Sequence, residues 1–218
     1  MVLDTIKNRQ SIRSFKKEMP SNEQIEAILE AAHLAPSWVN IQPWHFIVVK
    51  NKTTKSLLAK LSHGQAHVEK APVIIVCCGD VNAWEYDNFK KILESRPDMT
   101  EERMNQVLSS SAINPRLLDD NTVFMRTVEQ VTYATAYMTL EAHNQGLGAC
   151  VIGAVGNELT KSIPAAYQVV REELKLPKNI FVQSMLLLGI PEDGIELNKV
   201  RKDKNEVISY ESFGSSSK

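Results

Sequence analysis

Residues 35–46 read Ala-Pro-Ser-Trp-Val-Asn-Ile-Gln-Pro-Trp-His-Phe, and this stretch joins the two kinds of structure the chain is built from. Before it, Ser21-Asn22-Glu23-Gln24 has the form of a helix capping box. Ile25, Ile28, Leu29 and Ala32 then recur at helical spacing until Pro36. After it, residues 46–49 (Phe-Ile-Val-Val) form a short continuous apolar run, as in strands covered on both faces. Between helix and strand lie a hydroxyl, two amides and two indoles: Ser37, Asn40, Gln42, Trp38 and Trp44. Such a loop suits a flat heteroaromatic ligand with polar edges. It equally suits a well-capped turn that anchors a core tryptophan.

Outward from this loop the same alternation continues. Residues 73–78 (Val-Ile-Ile-Val-Cys-Cys) repeat the apolar strand pattern, and both runs are expected in the middle of a sheet. A long helix-compatible segment from about Phe124 to His143 ends at Gly146 and Gly148. Its small and apolar residues, Ala134, Ala136, Met138, Leu140 and Ala142, surround the helix and suggest burial on several sides, as a central helix or an interface between copies. Strands at Ala149–Ile152 and Phe181–Leu188 follow, separated by a helix from about Ala165 to Leu174. Interleaved strands and helices give an α+β or α/β layered sandwich.

Residues 84–118 differ. Trp84, Tyr86 and Phe89 sit among many charges, with Pro97 and Pro115 as breaks, so the segment reads as an inserted helical excursion. It is either a lid over a site or a surface helical hairpin. Residues 1–213 otherwise make one domain of a size that supports one core, and 214–218 (Gly-Ser-Ser-Ser-Lys) read as a disordered tail.

Charge excludes several function classes. With 25 Lys and Arg against 26 Asp and Glu, no global field favours nucleic acid or an anionic membrane, so any anion site is local. No apolar run approaches the length of a membrane span and the N-terminus lacks a signal-like segment, so a soluble, cytoplasmic protein is expected. Cys77, Cys78 and Cys150 fall in strand-like runs without metal spacing and read as buried, reduced thiols rather than a redox pair. His33, His45, His63, His67 and His143 are scattered and offer no metal site. Gly-x-Gly-x-x-Gly, Gly-x-Ser-x-Gly, Cys-x-x-Cys and His-Glu-x-x-His are all absent from the sequence.

A local anion site has a candidate near the start: Arg9-Gln10-Ser11-Ile12-Arg13-Ser14-Phe15, then Lys16 and Lys17. In an extended chain Arg9, Ser11 and Arg13 project to one face. Two guanidinium forks and a hydroxyl are the donors a phosphate monoester requires. The alternative is a solvated basic face.

Taken in order, these segments resemble the FMN-dependent nitroreductase family. Its members open with Arg-x-Ser-x-Arg-x-aromatic and continue to Ala-Pro-Ser-x-x-Asn-x-Gln-Pro-Trp, matched here by residues 9–15 and 35–44. Val151-Ile152-Gly153 is similar to the strand end beside the flavin, and Lys199-Val200-Arg201-Lys202 to a late basic element. The resemblance spans roughly residues 2 to 208. It implies a nitroreductase-like sandwich, a central mixed β-sheet flanked by helices, assembled as a homodimer.

The resemblance also implies a site. Arg9, Ser11 and Arg13, with Lys199 and Arg201, would hold the phosphate and polar side of FMN, and Gln10 would contribute through its backbone. Pro36, Ser37, Trp38 and Asn40 would line the flavin of the neighbouring subunit, with Trp38 in place of the usual small residue. Gln65 would reach the pyrimidine edge, and Ile152 and Gly153 would lie near N5 with their backbone N–H groups toward it. Residues 84–118 would be the specificity lid. No side chain is expected to act as catalytic acid or base. NADH or NADPH would deliver hydride to N5, and a nitroaromatic, a quinone or another flavin would then take the electrons in a ping-pong cycle. Two alternatives share the fold, a reductive dehalogenase and a non-enzymatic flavin-binding protein. Against the first, Glu85, Tyr86 and Lys90 are crowded together and Val151 to Ala154 offers no hydroxyl near N5.

Overall fold

Ser21 caps its helix as the sequence predicts: its hydroxyl accepts from the N–H of Gln24, and the Gln24 side chain accepts in return from the N–H of Ser21. In the computed structural model, residues 2–153, 163–196 and 199–215 are described. In chain order the elements are α1 (Val2–Asn8), α2 (Asn22–His33), β1 (Trp44–Val49), α3 (Lys52–Leu61), α4 (Ala66–Lys70), β2 (Val73–Asp80), α5 (Tyr86–Glu94) and α6 (Glu101–Ser109). Then follow α7 (Asp120–Asn144), β3 (Gly148–Ile152), α8 (Pro164–Glu173), β4 (Ile180–Gly189) and α9 (Lys204–Val207).

The strands form one sheet in the order β1-β2-β4-β3. One core lies between the sheet and α3, α4 and α8, with Leu58, Leu61, Val68, Ile74, Val76, Cys150, Val170 and Leu187 fully or nearly buried. The other lies against α2 and α7, with Ile28, Val73, Ile75, Ala134, Met138 and Leu186. Neighbours along β2 alternate between the two cores, and its period-two side-chain geometry places apolar groups on both faces. Helices on two faces of one sheet are the layered α+β sandwich that the sequence implies.

Two details correct the sequence reading. The named strand pairs are all antiparallel, and among the described residues parallel pairing is confined to a single bridge, Ser11 with Ala149. The expected mixed sheet is therefore antiparallel with one parallel contact. β1 is also an edge strand rather than a central one. Its residues are apolar because helices cover both faces, with Ile47 packed on the first core and Phe46 and Val48 on the second. Face coverage, not lateral position, is what an apolar run reports.

The excursion after β2 is helical, as expected, and has its own small core. Trp84, Phe89, Leu93, Met104 and Leu108 bury together with Ile41 and with Val123 of α7. The Trp84 ring meets Phe89 edge-on at 6.0 Å, and its Nε1 donates to Thr127 Oγ1 at 2.9 Å. All three cysteines are buried with free thiols. Burial pushes Cys77 up to about 11 and Cys78 up to about 12, so neither forms the thiolate that redox chemistry requires. Gly214 and Ser215 of the tail are described and form a turn with Tyr210 and Ser212; residues 216–218 lie outside the described residues.

Candidate functional site

Ser11 bridges to Ala149, and the Ile12 N–H donates to the Ala149 carbonyl at 2.9 Å. This seats the Arg9–Arg13 segment on the free edge of β3. Gly148 makes the seat possible: a Cβ there would lie 2.7 Å from Ile12 Cγ2 and 2.9 Å from Ile12 Cβ. The chain then crosses the end of the sheet, where Phe15 bridges to Pro191 and packs over Gly189.

Around this segment the sequence-predicted cations gather. Loss of water, and then the guanidinium groups of Arg9 and Arg201, hold the Lys199 ammonium below its ordinary value. Lys199 Nζ also donates to the carbonyl of Lys7 at 3.0 Å and to that of Ile6, closing the C-terminal end of α1. Residues almost two hundred positions apart thus meet at one place. The charge of Arg13, from the same segment, reaches Cys150 and His67. Burial raises the Cys150 thiol; Arg13, a hydrogen bond from Ser11 and then Arg9 pull it back. Among the described residues none of Arg9, Arg13, Lys199 and Arg201 forms an ion pair. Positive charge that no carboxylate meets within ion-pair distance is the setting in which an anion binds.

Gln65 precedes α4 as its N-cap residue and makes no capping bond with its side chain. It stands two positions before His67, whose imidazole feels the charge of Arg13. Gln10 projects differently from the others, its Nε2 donating to the Glu196 carbonyl at 3.0 Å. Along β3, the Ala149 carbonyl points to the outer edge because it accepts from Ile12. Strand parity then aims the N–H of Val151 outward as well, and turns the N–H of Ile152 into the ladder with Met185; Gly153 follows directly after the strand. Ile152 and Gly153, the two residues expected near a flavin N5, thus sit at the far end of β3 from the Ser11 bridge. Ala149 and Ile152 are about 10 Å apart along the strand, a span that a five-carbon ribityl chain with its phosphate bridges.

The loop at 36–42 lies elsewhere. Trp44 pairs with Gly79 at one end of β2, whereas Ala149 pairs with Leu188, and Leu188 with Val73, at the other. The two groups of predicted site residues are therefore separated by about 20 Å along the strands and about 14 Å across them. The structure does not bring Pro36, Ser37, Trp38 and Asn40 to the Arg9 cluster of the same chain.

The loop itself is strained and well tied. Val39, Asn40 and Gln42 have φ of 45°, 61° and 49°, and a β-branched residue such as Val39 rarely adopts this region. Ser37 Oγ accepts from the N–H of Gln42 at 3.0 Å, and the N–H of Trp38 donates to Gln130 Oε1 at 2.7 Å. The Trp38 indole donates to the Ile113 carbonyl at 3.0 Å and lies beneath the Arg126 guanidinium, 5.1 Å from the ring centroid. Pro36, Trp38 and Asn40 are exposed, whereas Trp44 is buried in the core. The reading of the stretch as a turn that anchors a core tryptophan thus holds for Trp44. Trp44 is the core anchor, and the residues before it form a presented, strained surface.

Next to the loop, His45 Nε2 stands 3.8 Å from Asp80 Oδ2. Hydrogen bonding to Asp80 raises the imidazole above its ordinary value, and desolvation opposes it. Burial raises the Asp80 carboxyl, but His45, Asn179 Nδ2 at 2.7 Å and the Asn82 N–H at 2.8 Å outweigh that and hold it below the usual carboxylate value. Sequence reasoning had no signal for this group, or for Arg126 over Trp38, because each pairs residues remote in sequence. Among the described residues no cluster of His, Cys, Asp and Glu could hold a metal, and no helix is long and apolar enough to cross a membrane.

The profile of the Nitroreductase family matches residues 6–190, which include the Arg9 segment, the 35–44 loop and β3. The chain belongs to the Nitroreductase family. A relative in Bacillus subtilis (strain 168) named FMN reductase (NAD(P)H) is 32% identical over 194 residues, covering 88% of this chain and 66% of that protein. The chain therefore spans about two thirds of that relative's length. The solved structure of B. megaterium NfrA1 has a TM-score of 0.72 at 32% identity, covering 97% of this chain and 74% of that one. A relative of matching length, the Thermotoga neapolitana protein named iodotyrosine deiodinase, is 24% identical over 214 residues, 98% of this chain and 99% of its own.

Proposed function

We propose that two copies of this chain assemble into a homodimer that binds FMN and oxidises NADH or NADPH at the expense of nitroaromatics, quinones or similar acceptors. The observation that carries the reading is the gathering of Arg9, Lys199 and Arg201, none of them in an ion pair among the described residues, at the edge of β3, which Gly153 follows. The donor set fits FMN. Arg9 and Arg201 would hold the phosphate by charge-assisted hydrogen bonds, and Ser11 would add its hydroxyl. Lys199 already serves the α1 carbonyls, so its contribution is mainly charge. Arg13 and Gln65 would face the polar edge of the ring, and the N–H of Gly153 would meet N5. Glycine suits that position because the backbone must approach a flat ring closely.

FMN, when bound, supplies the hydride and electron chemistry. The protein binds and orients the ring, keeps water away and leaves one face open for NAD(P)H and then for the acceptor. The separation between the loop at 36–42 and the Arg9 cluster supports the dimer. Pro36, Ser37, Trp38 and Asn40 of the partner subunit would complete the wall. A groove of about 680 Å³ between α1 and α7, lined by Val2, Ile6, Tyr137 and Leu140, offers an apolar surface for the second copy. α5 and α6 would then lie over the open face as a lid that sets acceptor size.

The kinship with a deiodinase favours a second reading, reductive dehalogenation of a zwitterionic amino acid. Within this chain Glu85 pairs with Arg116 at 3.4 Å and Lys90 with Glu94 at 3.7 Å, so a zwitterion would have to displace two surface ion pairs, each worth under about 1 kcal/mol. The test is steady-state oxidation of NADH and NADPH by FMN-loaded protein with nitrofurazone, menadione or a halotyrosine as acceptor. Turnover with the first two is expected. Turnover confined to the halotyrosine selects the second reading, and bound flavin that neither donor reduces selects a flavin-binding protein without this activity.

A further inference from the structure

Two arginines of the excursion stand together around one carboxylate. Arg96 donates to Asp98 through Nε at 3.3 Å and Nη2 at 3.0 Å, and Arg103 donates to it through Nη1 at 3.3 Å. Asp98 therefore answers one of the two charges and holds both guanidinium forks side by side. Among the described residues, Arg96 Nη1 and the Nε and Nη2 of Arg103 make no hydrogen bond. The pair keeps one net positive charge and donors to spare.

Both arginines line a groove of about 410 Å³ between the α5–α6 turn, α6 and the loop at 36–42. Its floor is apolar: Val39, Met99, Val107 and Ile113 line it and pack on the core of the excursion. Gln106 adds an amide to the rim, whereas Glu101 and Glu102, in the first turn of α6, do not line the groove. Val39 holds its place there with φ of 45°, a conformation that a β-branched residue keeps only where its surroundings over-determine it. The volume is that of a small-molecule site, about 300–1,000 Å³. An apolar floor beneath two guanidinium forks suits a flat heteroaromatic body that carries a phosphate dianion.

The groove adjoins the wall proposed for the flavin. Val39 lies between Trp38 and Asn40, and the carbonyl of Ile113 accepts from the Trp38 indole. A ligand that occupies the groove and also reaches the flavin must be long. Of the substrates in the proposed reaction, the pyridine nucleotide has that form. Its nicotinamide end meets the flavin, and its adenine is the flat body at the other end. In NADPH that end also carries a phosphate.

We infer that this groove receives the adenosine end of the electron donor, with Arg96 and Arg103 holding the 2′-phosphate that distinguishes NADPH from NADH. This rests on the FMN reading of the site and adds to it a choice of donor.

The test assays FMN-loaded protein with NADPH and with NADH at fixed menadione, and titrates 2′,5′-ADP and 5′-AMP into the purified protein by calorimetry. Wild type is expected to favour NADPH in kcat/KM and to bind 2′,5′-ADP at least about tenfold more tightly than 5′-AMP, as a charge-assisted phosphate contact gives. Arg103→Ala is expected to lower the NADPH-to-NADH ratio of kcat/KM by about tenfold, through KM rather than kcat, and to weaken 2′,5′-ADP by a similar factor. Gln106→Glu puts a carboxylate on the same rim while leaving the Asp98 contacts in place. It is expected to lower both quantities as well, which keeps the test open if Arg103→Ala does not fold. A wild-type ratio at or below one overturns the inference. So does 2′,5′-ADP binding no tighter than 5′-AMP, or a ratio that neither substitution moves. Protein that binds no FMN overturns the FMN reading instead, a result distinct from these because the titration reads the groove without flavin.

Discussion

Arg9 and Arg201 concentrate charge that the rest of the chain leaves balanced, and this sets what their removal does. Each charge-assisted contact to a phosphate is worth about 1.5–3 kcal/mol, so Arg9→Ala combined with Arg201→Ala is expected to weaken FMN by about 10²- to 10⁴-fold. Flavin content of the purified double variant checks this, and full retention contradicts the clamp. The His45–Asp80 pair makes a prediction in pH. A histidine raised in the folded state stabilises below its unfolded value of 6.5 and loses that contribution as pH rises through its higher folded value. Asp80, lowered when folded, contributes above 3.8 and loses it as pH falls through its folded value. The pair therefore stabilises at mildly acidic pH and fades above neutrality, by under about 1 kcal/mol for so exposed a pair. In His45→Gln the slope of the urea midpoint between pH 6 and 8 is expected to flatten; an unchanged slope assigns it to another group. At this scale the sequence was legible where function repeats a short spacing, as in Arg9, Ser11 and Arg13. It was not legible where residues remote in sequence meet, as His45 and Asp80 do, because neither carries a pattern until its neighbours are placed.

Elements turn those residues into a site by packing rather than by propensity. β3 is short, yet it seats the Arg9 segment at Ser11 and presents Gly153 at its far end. Gly148→Ala would drive a methyl into Ile12 at its Cβ as well as at its branch, so relief requires the backbone of the segment to move. Overpacking of this kind costs about 1–3 kcal/mol. Flavin affinity is expected to fall more than the unfolding midpoint, since the displaced segment carries Arg9 and Arg13; equal retention of flavin contradicts the role of the seat. In the excursion, Thr127→Val removes the partner of Trp84 Nε1 and leaves a buried indole N–H unpaired, at a cost of about 1–3 kcal/mol read as a lower urea midpoint. Helix and strand positions were readable because α2, α7, β2 and β4 follow apolar periodicities and caps. The edge position of β1 and the antiparallel pairing were not, since apolar runs record which faces are covered and contain nothing about lateral neighbours.

For the whole molecule, the decisive geometry is the distance between the two halves of the predicted site, which one chain holds at opposite ends of its sheet. A second copy is the simplest way to join them. α7 turns Thr132, Tyr133, Ala136 and Tyr137 outward, and α1 exposes Val2, Leu3 and Ile6 beside it, so both helices leave an apolar face for a partner. Ala136→Glu places a charge in that face and is expected to give monomers by light scattering that no longer retain flavin. Monomers that bind FMN as wild type does would contradict a shared site. The most direct measurement of the central claim is the visible absorption spectrum of FMN-reconstituted protein before and after anaerobic addition of NADH, and separately of NADPH. The account predicts protein-bound flavin bands that bleach with at least one donor; the absence of bound flavin, or bands that neither donor bleaches, would contradict it.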